Sequence, residues 1–276
     1  KPQFSGGVPF KWCRRLPVWD YLMSYLNATM IREAELQPDK SYVFAMAPHG
    51  ILALCRLVGC HRHWEEMFPG QWPIWGSFGA AFYIPCVREF SLFSGAMDAS
   101  RKVLKRMLKQ GHSIFLLPGG TKELMLTDGA SKDTKLVLLD RKGFVKLAVE
   151  HGSDIVPMYC FGEKWCLNLV LAPSVIKDLI YRYLKVAAAA MLGRWNTFMP
   201  LNVHEGRPIT LAWVFGEPIT VEQQDPPDPA YVDKIHAEYL KRVQGLFDRY
   251  KTQFGYSDDE RITFVTSRSD ELKKSK

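Results

Sequence analysis

No stretch of this sequence reaches the ~18 uninterrupted apolar residues that a membrane-spanning helix requires. Lys and Arg outnumber Asp and Glu by 36 to 29, yet no run of basic residues exceeds three. That scatter weakens a nucleic-acid reading and suits an anionic lipid surface or a phosphate-bearing cosubstrate. No G-x-S-x-G elbow offers a serine nucleophile. The six cysteines (Cys13, Cys55, Cys60, Cys86, Cys160 and Cys166) form no C-x-x-C pair, which predicts a reduced, cytosol-facing chain. Cys55, Cys60, His61 and His63 match no standard zinc spacing and no second ligand pair follows them, so no metal is expected. Internal repeats are absent, and Ala187 to Ala190 is the one low-complexity tract.

What is present is enough for one large core, with 276 residues and 47% hydrophobic composition. Short continuous apolar runs predict buried strands at Tyr42 to Ala47, Ser113 to Leu117, Ile155 to Cys160 and Ile209 to Phe215. Segments of helical period alternate with them. Asp98-Ala99-Ser100 opens one, with Val103, Leu104, Met107 and Leu108 on one face and Lys105, Arg106 and Lys109 on the other, stopped by Gly111. Gly143 to Glu150 and Tyr231 to Phe254 read alike, the latter after the breaker run Asp225-Pro226-Pro227-Asp228-Pro229. Val175 to Leu192 has helical spacing too dense in charge to span a bilayer, which leaves a core-packing surface helix or an in-plane membrane helix. The expected fold is α/β, a mixed, largely parallel sheet covered by helices. One domain is expected over residues 1–276, with 1–41 as a helical lead-in and 256–276 as a polar tail.

Three local patterns could carry chemistry. A strand ending in Pro48-His49-Gly50 and running into an apolar helical segment (Ile51, Leu52, Leu54, Leu57, Val58) sets His49 at the carboxyl edge of the sheet, where α/β folds place ligands. Taken alone, such a histidine is more often structural than catalytic. Leu116-Leu117-Pro118-Gly119-Gly120-Thr121-Lys122-Glu123 is a strand, a glycine turn and a carboxylate, whose amides could hold a phosphate or an oxyanion, or simply make a turn. Arg141-Lys142-Gly143-Phe144 puts two cations at a helix start, against the macrodipole, which suits an anionic ligand as well as a solvated loop.

In this order, these elements resemble the diacylglycerol acyltransferase type 2 family, which includes mono- and diacylglycerol acyltransferases and wax-ester synthases. The likeness runs from about Tyr42 to Gly255. Its further marks are Arg88-Glu89-Phe90 with Ser94-Gly95, Val156-Pro157, Phe161-Gly162-Glu163 and Gly216-Glu217-Pro218-Ile219. The resemblance implies a sheet like that of the glycerolipid acyltransferases and a catalytic histidine, His49. The family's usual His-Pro-His-Gly is Ala47-Pro48-His49-Gly50 here, and Leu54 stands where more distant His-x4-Asp enzymes have the aspartate. A neutral imidazole needs its second nitrogen held, so Glu123 is expected to orient the ring, with Glu163 in reserve.

The implied reaction is esterification of the free hydroxyl of diacylglycerol by acyl-CoA, with His49 as general base and no acyl-enzyme. Pro48, Gly50, Gly119, Gly120, Arg141 and Lys142 are expected to bind substrate, the two cations taking coenzyme A phosphates. No cofactor is implied beyond acyl-CoA as cosubstrate. Monoacylglycerol or a long-chain alcohol are alternative acceptors, and a non-catalytic lipid-binding or lipid-transfer protein is an alternative of another class. Relatives carry a membrane hairpin upstream of the matched part, so a hairpin is expected to precede Lys1. With the dilysine form of Lys273-Lys274-Ser275-Lys276, this predicts the cytosolic face of the endoplasmic reticulum membrane and lipid droplets. A solvated basic tail reads equally well there.

Overall fold

The computed structural model of the chain describes residues 1–5, 12, 15–50, 54, 62–171, 189–197 and 199–268. In chain order these form strands β1 (Thr29–Arg32), β2 (Tyr42–Ala47), β3 (Ile74–Ser77), β4 (Ala96–Asp98), β5 (Ile114–Leu116), β6 (Asp133–Val137), β7 (Asp154–Phe161), β8 (Asn168–Leu171), β9 (Ala189–Leu192), β10 (Val203–His204), β11 (Arg207–Pro208), β12 (Ala212–Phe215) and β13 (Arg261–Val265). The helices are α1 (Pro17–Tyr25), α2 (His63–Met67), α3 (Val87–Phe93), α4 (Arg101–Lys109), α5 (Gly120–Leu124), α6 (Gly143–His151), α7 (Glu163–Cys166) and α8 (Pro229–Tyr250).

A seven-stranded sheet runs in the order β1-β12-β7-β2-β5-β3-β4. Each neighbouring pair is parallel except β12 with β7. The reason lies in β2, whose six side chains are all buried. Successive residues point to opposite faces, so a continuous apolar strand needs cover on both. Val43, Ala45 and Ala47 meet a core that includes Leu104 of α4, Leu147 of α6 and Tyr239 of α8. Tyr42, Phe44 and Met46 meet an aromatic core on the other face, where Phe44 lies 5.3 Å from Trp64, 6.0 Å from Phe68 and 6.2 Å from Phe115.

The predicted mixed, largely parallel sheet is the one observed, and the differences are local. The run Ile209 to Phe215 becomes strand only from Ala212, because the Ile209 and Leu211 N–H groups donate to Asn202 and Leu26 carbonyls. Helix α4 begins after Ser100 with no side-chain cap on its own amides; within the opening Asp98-Ala99-Ser100 the Asp98 carboxylate accepts the Ser100 N–H. Helix α8 starts two residues early, at Pro229, which needs no N–H partner in a first turn, and Asp228 accepts from Ala230 and Tyr231. The lead-in is not only helical, since β1 joins the sheet edge, and the polar tail contains β13, paired in parallel with β6. Of the predicted helix at 175–192, residues 175–188 lie outside the described residues, and Ala189–Leu192 is a strand paired with Asn168–Leu171. A partner that distant in sequence leaves no trace in local period. After His49, Leu54 is a buried turn residue, and 51–53 and 55–61 lie outside the described residues. Among the described residues no helix is long and apolar enough to cross a membrane.

Phe44→Ala removes the ring that joins β2 to four aromatic neighbours, and should lower the unfolding free energy by about 3–5 kcal/mol in urea titrations. A loss below about 1 kcal/mol would mean that the pocket collapses around the smaller residue.

Candidate active site

Strand β2 carries the chain to the sheet's carboxyl edge, where Pro48 and Gly50 are buried and His49 between them is half-buried. Two buried glutamates hold this turn. Glu123 in α5 is 1% exposed. Its Oε2 accepts the backbone N–H of His49 at 2.5 Å and its Oε1 accepts that of Val137 at 2.8 Å. Glu163, in α7 just after β7, accepts the Leu54 N–H at 2.9 Å through Oε1, and the Cys160 thiol lies 3.4 Å from Oε2. Each carboxylate fits because a glycine lies against it. A Cβ on Gly119 would fall 2.4 Å from the Glu123 carboxylate, and one on Gly50 would fall 2.0 Å from Glu163 Oε1. Gly50 also holds φ at +67°, which disfavours any side chain.

Glu123 therefore grips the main chain of His49 and not its ring, contrary to the orienting role expected from the sequence. The ring is held by its own turn: Nδ1 lies 2.9 Å from the Gly50 carbonyl oxygen. A carbonyl oxygen can only accept, so in the neutral ring Nδ1 carries the proton and Nε2 is the basic nitrogen.

His49 lines a cleft of about 570 Å³. Its walls are apolar, from Leu104, Leu116, Leu117, Phe144 and Leu147, with Phe78 at one side. Pro118, Gly120 and Thr121 contribute from the glycine turn, and the first turns of α4 and α6 face the same space. The Gly120 N–H donates to the Leu117 carbonyl at 3.1 Å, so the turn itself uses one amide that the sequence offered to an oxyanion.

A family model for diacylglycerol acyltransferase matches residues 3–265. The chain belongs to that family. It is an acyltransferase. It is 32% identical to human diacylglycerol O-acyltransferase 2-like protein 6, over 95% of this chain and 81% of that one. To diacylglycerol O-acyltransferase 2 of Danio rerio it is 31% identical, over 94% and 74%. Among solved structures it is similar to the 1-acyl-sn-glycerophosphate acyltransferase PlsC of Thermotoga maritima, with 17% identity, a TM-score of 0.48, and cover of 83% of this chain and 76% of that one.

Within this acyltransferase the expected binding residues divide. Arg141 lines the cleft, and its Nε is buried with no hydrogen-bond partner among the described residues. Lys142 is turned elsewhere: its ammonium lies 2.8 Å from Asp233 of α8, and pairing with it holds the Asp233 carboxyl below its usual range. Pro48 and Gly50 face a separate cavity of about 20 Å³, and Gly119 is buried against Glu123. Two cations that the motifs did not single out reach the cleft, Arg101 and Lys146. Their signal is weak but legible, since each lies in the first turn of a helix whose amino end faces the cleft, where positive charge opposes the dipole unless an anion offsets it. Of the metal-like set, Cys55, Cys60 and His61 lie outside the described residues, and His63 bonds Glu66 on the surface.

Burial pushes the Glu123 carboxyl up from 4.5 to about 7, against the pull of the His49 and Val137 N–H groups and the Arg141 charge. A group raised on folding contributes stability below its unfolded value, and that contribution is lost as pH rises through the folded one. The unfolding free energy of the native chain minus that of Glu123→Gln should thus fall by about 3 kcal/mol between about pH 4.5 and pH 7. A difference that stays flat across this window in urea titrations would contradict the raised value. Gly50→Ala, which drives a methyl into the Glu163 carboxylate, should destabilise the chain by about 2–4 kcal/mol in the same titrations.

Proposed function

We propose that His49 is the general base that transfers the acyl group of acyl-CoA to the free hydroxyl of diacylglycerol, giving triacylglycerol and coenzyme A. The observation that carries this reading is the hydrogen bond from Nδ1–H to the Gly50 carbonyl, which leaves Nε2 as the basic nitrogen of a residue lining the cleft. Nε2 takes the hydroxyl proton as the oxygen attacks the thioester carbonyl. The tetrahedral adduct collapses with cleavage of the carbon–sulfur bond, and the imidazolium returns its proton to the departing thiolate. Glu123 acts as a positioning residue through the main chain of His49. Keeping the base at hydrogen-bonding reach of the acceptor matters here, because proton transfer and attack share one transition state.

Support for the substrates comes from the lining. Leucines and phenylalanines suit acyl chains, while Arg141 suits a coenzyme A phosphate. The family, and relatives named as diacylglycerol O-acyltransferases, support a glycerolipid acceptor. Such substrates partition into lipid, which supports a membrane or lipid-droplet surface as the working site and the cytosolic face of the endoplasmic reticulum as its place.

His49→Gln should lower turnover with acyl-CoA and diacylglycerol by about 10²–10⁴-fold while the melting curve by circular dichroism stays close to the native one. Near-normal turnover would remove His49 from the mechanism. Parallel assays with monoacylglycerol and a long-chain alcohol decide the acceptor, and binding of acyl-CoA without transfer to any of the three would favour a lipid-binding protein. Arg141→Ala should raise the KM for acyl-CoA by about tenfold or more with a smaller change in kcat.

A further inference from the structure

Among the described residues that line the cleft, Asp140 is the one carboxylate, beside the cations Arg101, Arg141 and Lys146. An acid at that place works against an anionic substrate. Asp140 precedes Arg141 directly in sequence, so its carboxylate could pair with the guanidinium or repel a phosphate that approaches it. It does not take the Arg141 Nε, which is buried with no hydrogen-bond partner among the described residues.

Both Asp140 oxygens are engaged elsewhere. Oδ1 accepts the Ser267 N–H at 2.9 Å, and Oδ2 accepts the Ser267 hydroxyl. Burial pushes the Asp140 carboxyl up, but the two Ser267 donors, its own amide and the Arg141 charge together outweigh it and hold the group below its ordinary range. The negative charge is therefore kept, and Ser267 holds it.

Ser267 reaches an acid 127 residues away because its strand is fastened at both ends. Strand β13 pairs in parallel with β6, with Ile262 opposite Thr134 and Val265 opposite Val137. The Leu139 N–H donates to the Val265 carbonyl at 3.2 Å, which brings the two chains side by side up to Asp140 and Ser267. Before β13, the Glu260 carboxylate meets the Lys164 ammonium at 2.5 Å, and both residues are buried. After it, the Lys122 ammonium donates to the Ser267 carbonyl at 2.9 Å. A lone exposed hydrogen bond stabilises little. Here the strand already orders Ser267, so little further entropy opposes its two bonds to Asp140.

We infer that Ser267 is a positioning residue for the acyl donor: by holding both oxygens of Asp140 it keeps that carboxylate off Arg141 and leaves the guanidinium to a coenzyme A phosphate. The inference rests on the reading of Arg141 given above, and its test tells the two apart. Ser267→Ala removes the hydroxyl and frees one Asp140 oxygen for Arg141. The KM for acyl-CoA should rise about threefold or more, with kcat little changed and the melting temperature close to the native one. The same factor should appear in the Kd of coenzyme A by titration calorimetry, which needs no turnover. Ser267→Thr, which keeps the hydroxyl, should keep the native values.

The pair Ser267→Ala with Asp140→Asn is decisive. If the freed charge is what weakens donor binding, neutralising it returns most of the lost affinity, whereas a contact that only steadies the loop stays lost. An unchanged KM and Kd in Ser267→Ala, or a double variant that binds no better than Ser267→Ala alone, would overturn the inference. If Arg141→Ala itself leaves donor binding unchanged, the phosphate reading of Arg141 falls and the inference falls with it. If Arg141→Ala weakens binding and Ser267→Ala does not, the inference alone falls. A chain that transfers no acyl group to any acceptor would remove the catalytic reading, and the Kd series would still decide the role of Ser267.

Discussion

A buried carboxylate that accepts two main-chain amides fixes the centre of this molecule. Glu123 joins the His49 N–H, at the end of one strand, to the Val137 N–H, at the end of another. Such a group in an apolar interior is costly unless both oxygens are satisfied, and here two amides satisfy them. The cost is still visible in a carboxyl pushed up to about 7. Much else follows from that one contact. Gly119 must lack a side chain so that the carboxylate can close, and the turn carrying His49 gains a fixed address at the mouth of the cleft.

Glu163 repeats the device five residues further along the chain, at Leu54. It takes the Leu54 N–H, and Gly50 gives it room. The two acids thus secure the main chain before and after the imidazole, while the ring is set by the Gly50 carbonyl. This arrangement differs from a carboxylate bonded to the imidazole. A main-chain anchor fixes where the ring stands, and a carbonyl oxygen that accepts from Nδ1 fixes its tautomer.

The cleft combines two unlike environments for an equally simple reason. Helices α4 and α6 bury leucines against β2 and β5, so their inner sides are apolar, while their amino ends and first-turn cations lie at the cleft. An amphiphile with an acyl chain and phosphates meets both environments in such a space.

Much of this was legible in the linear chain. Unbroken apolar runs such as Tyr42 to Ala47 require cover on both faces, and that alone dictates a largely parallel sheet between helices. The order of Pro-His-Gly, Pro-Gly-Gly and Arg-Lys-Gly-Phe points to His49 at a strand end. What the sequence could not supply is which atom meets which. Glu123 stands 74 residues from His49, and nothing local says whether its oxygens reach a ring or an amide. Lys142 and Arg141 are neighbours in sequence, yet the helical turn sends one to Asp233 and the other into the cleft. Arg101 and Lys146 become neighbours of His49 only because α4 and α6 lie side by side on one face of the sheet. Strand period and glycine placement are local properties and so are written in the chain, whereas side-chain partnership depends on how distant elements pack, and the tertiary structure alone decided it.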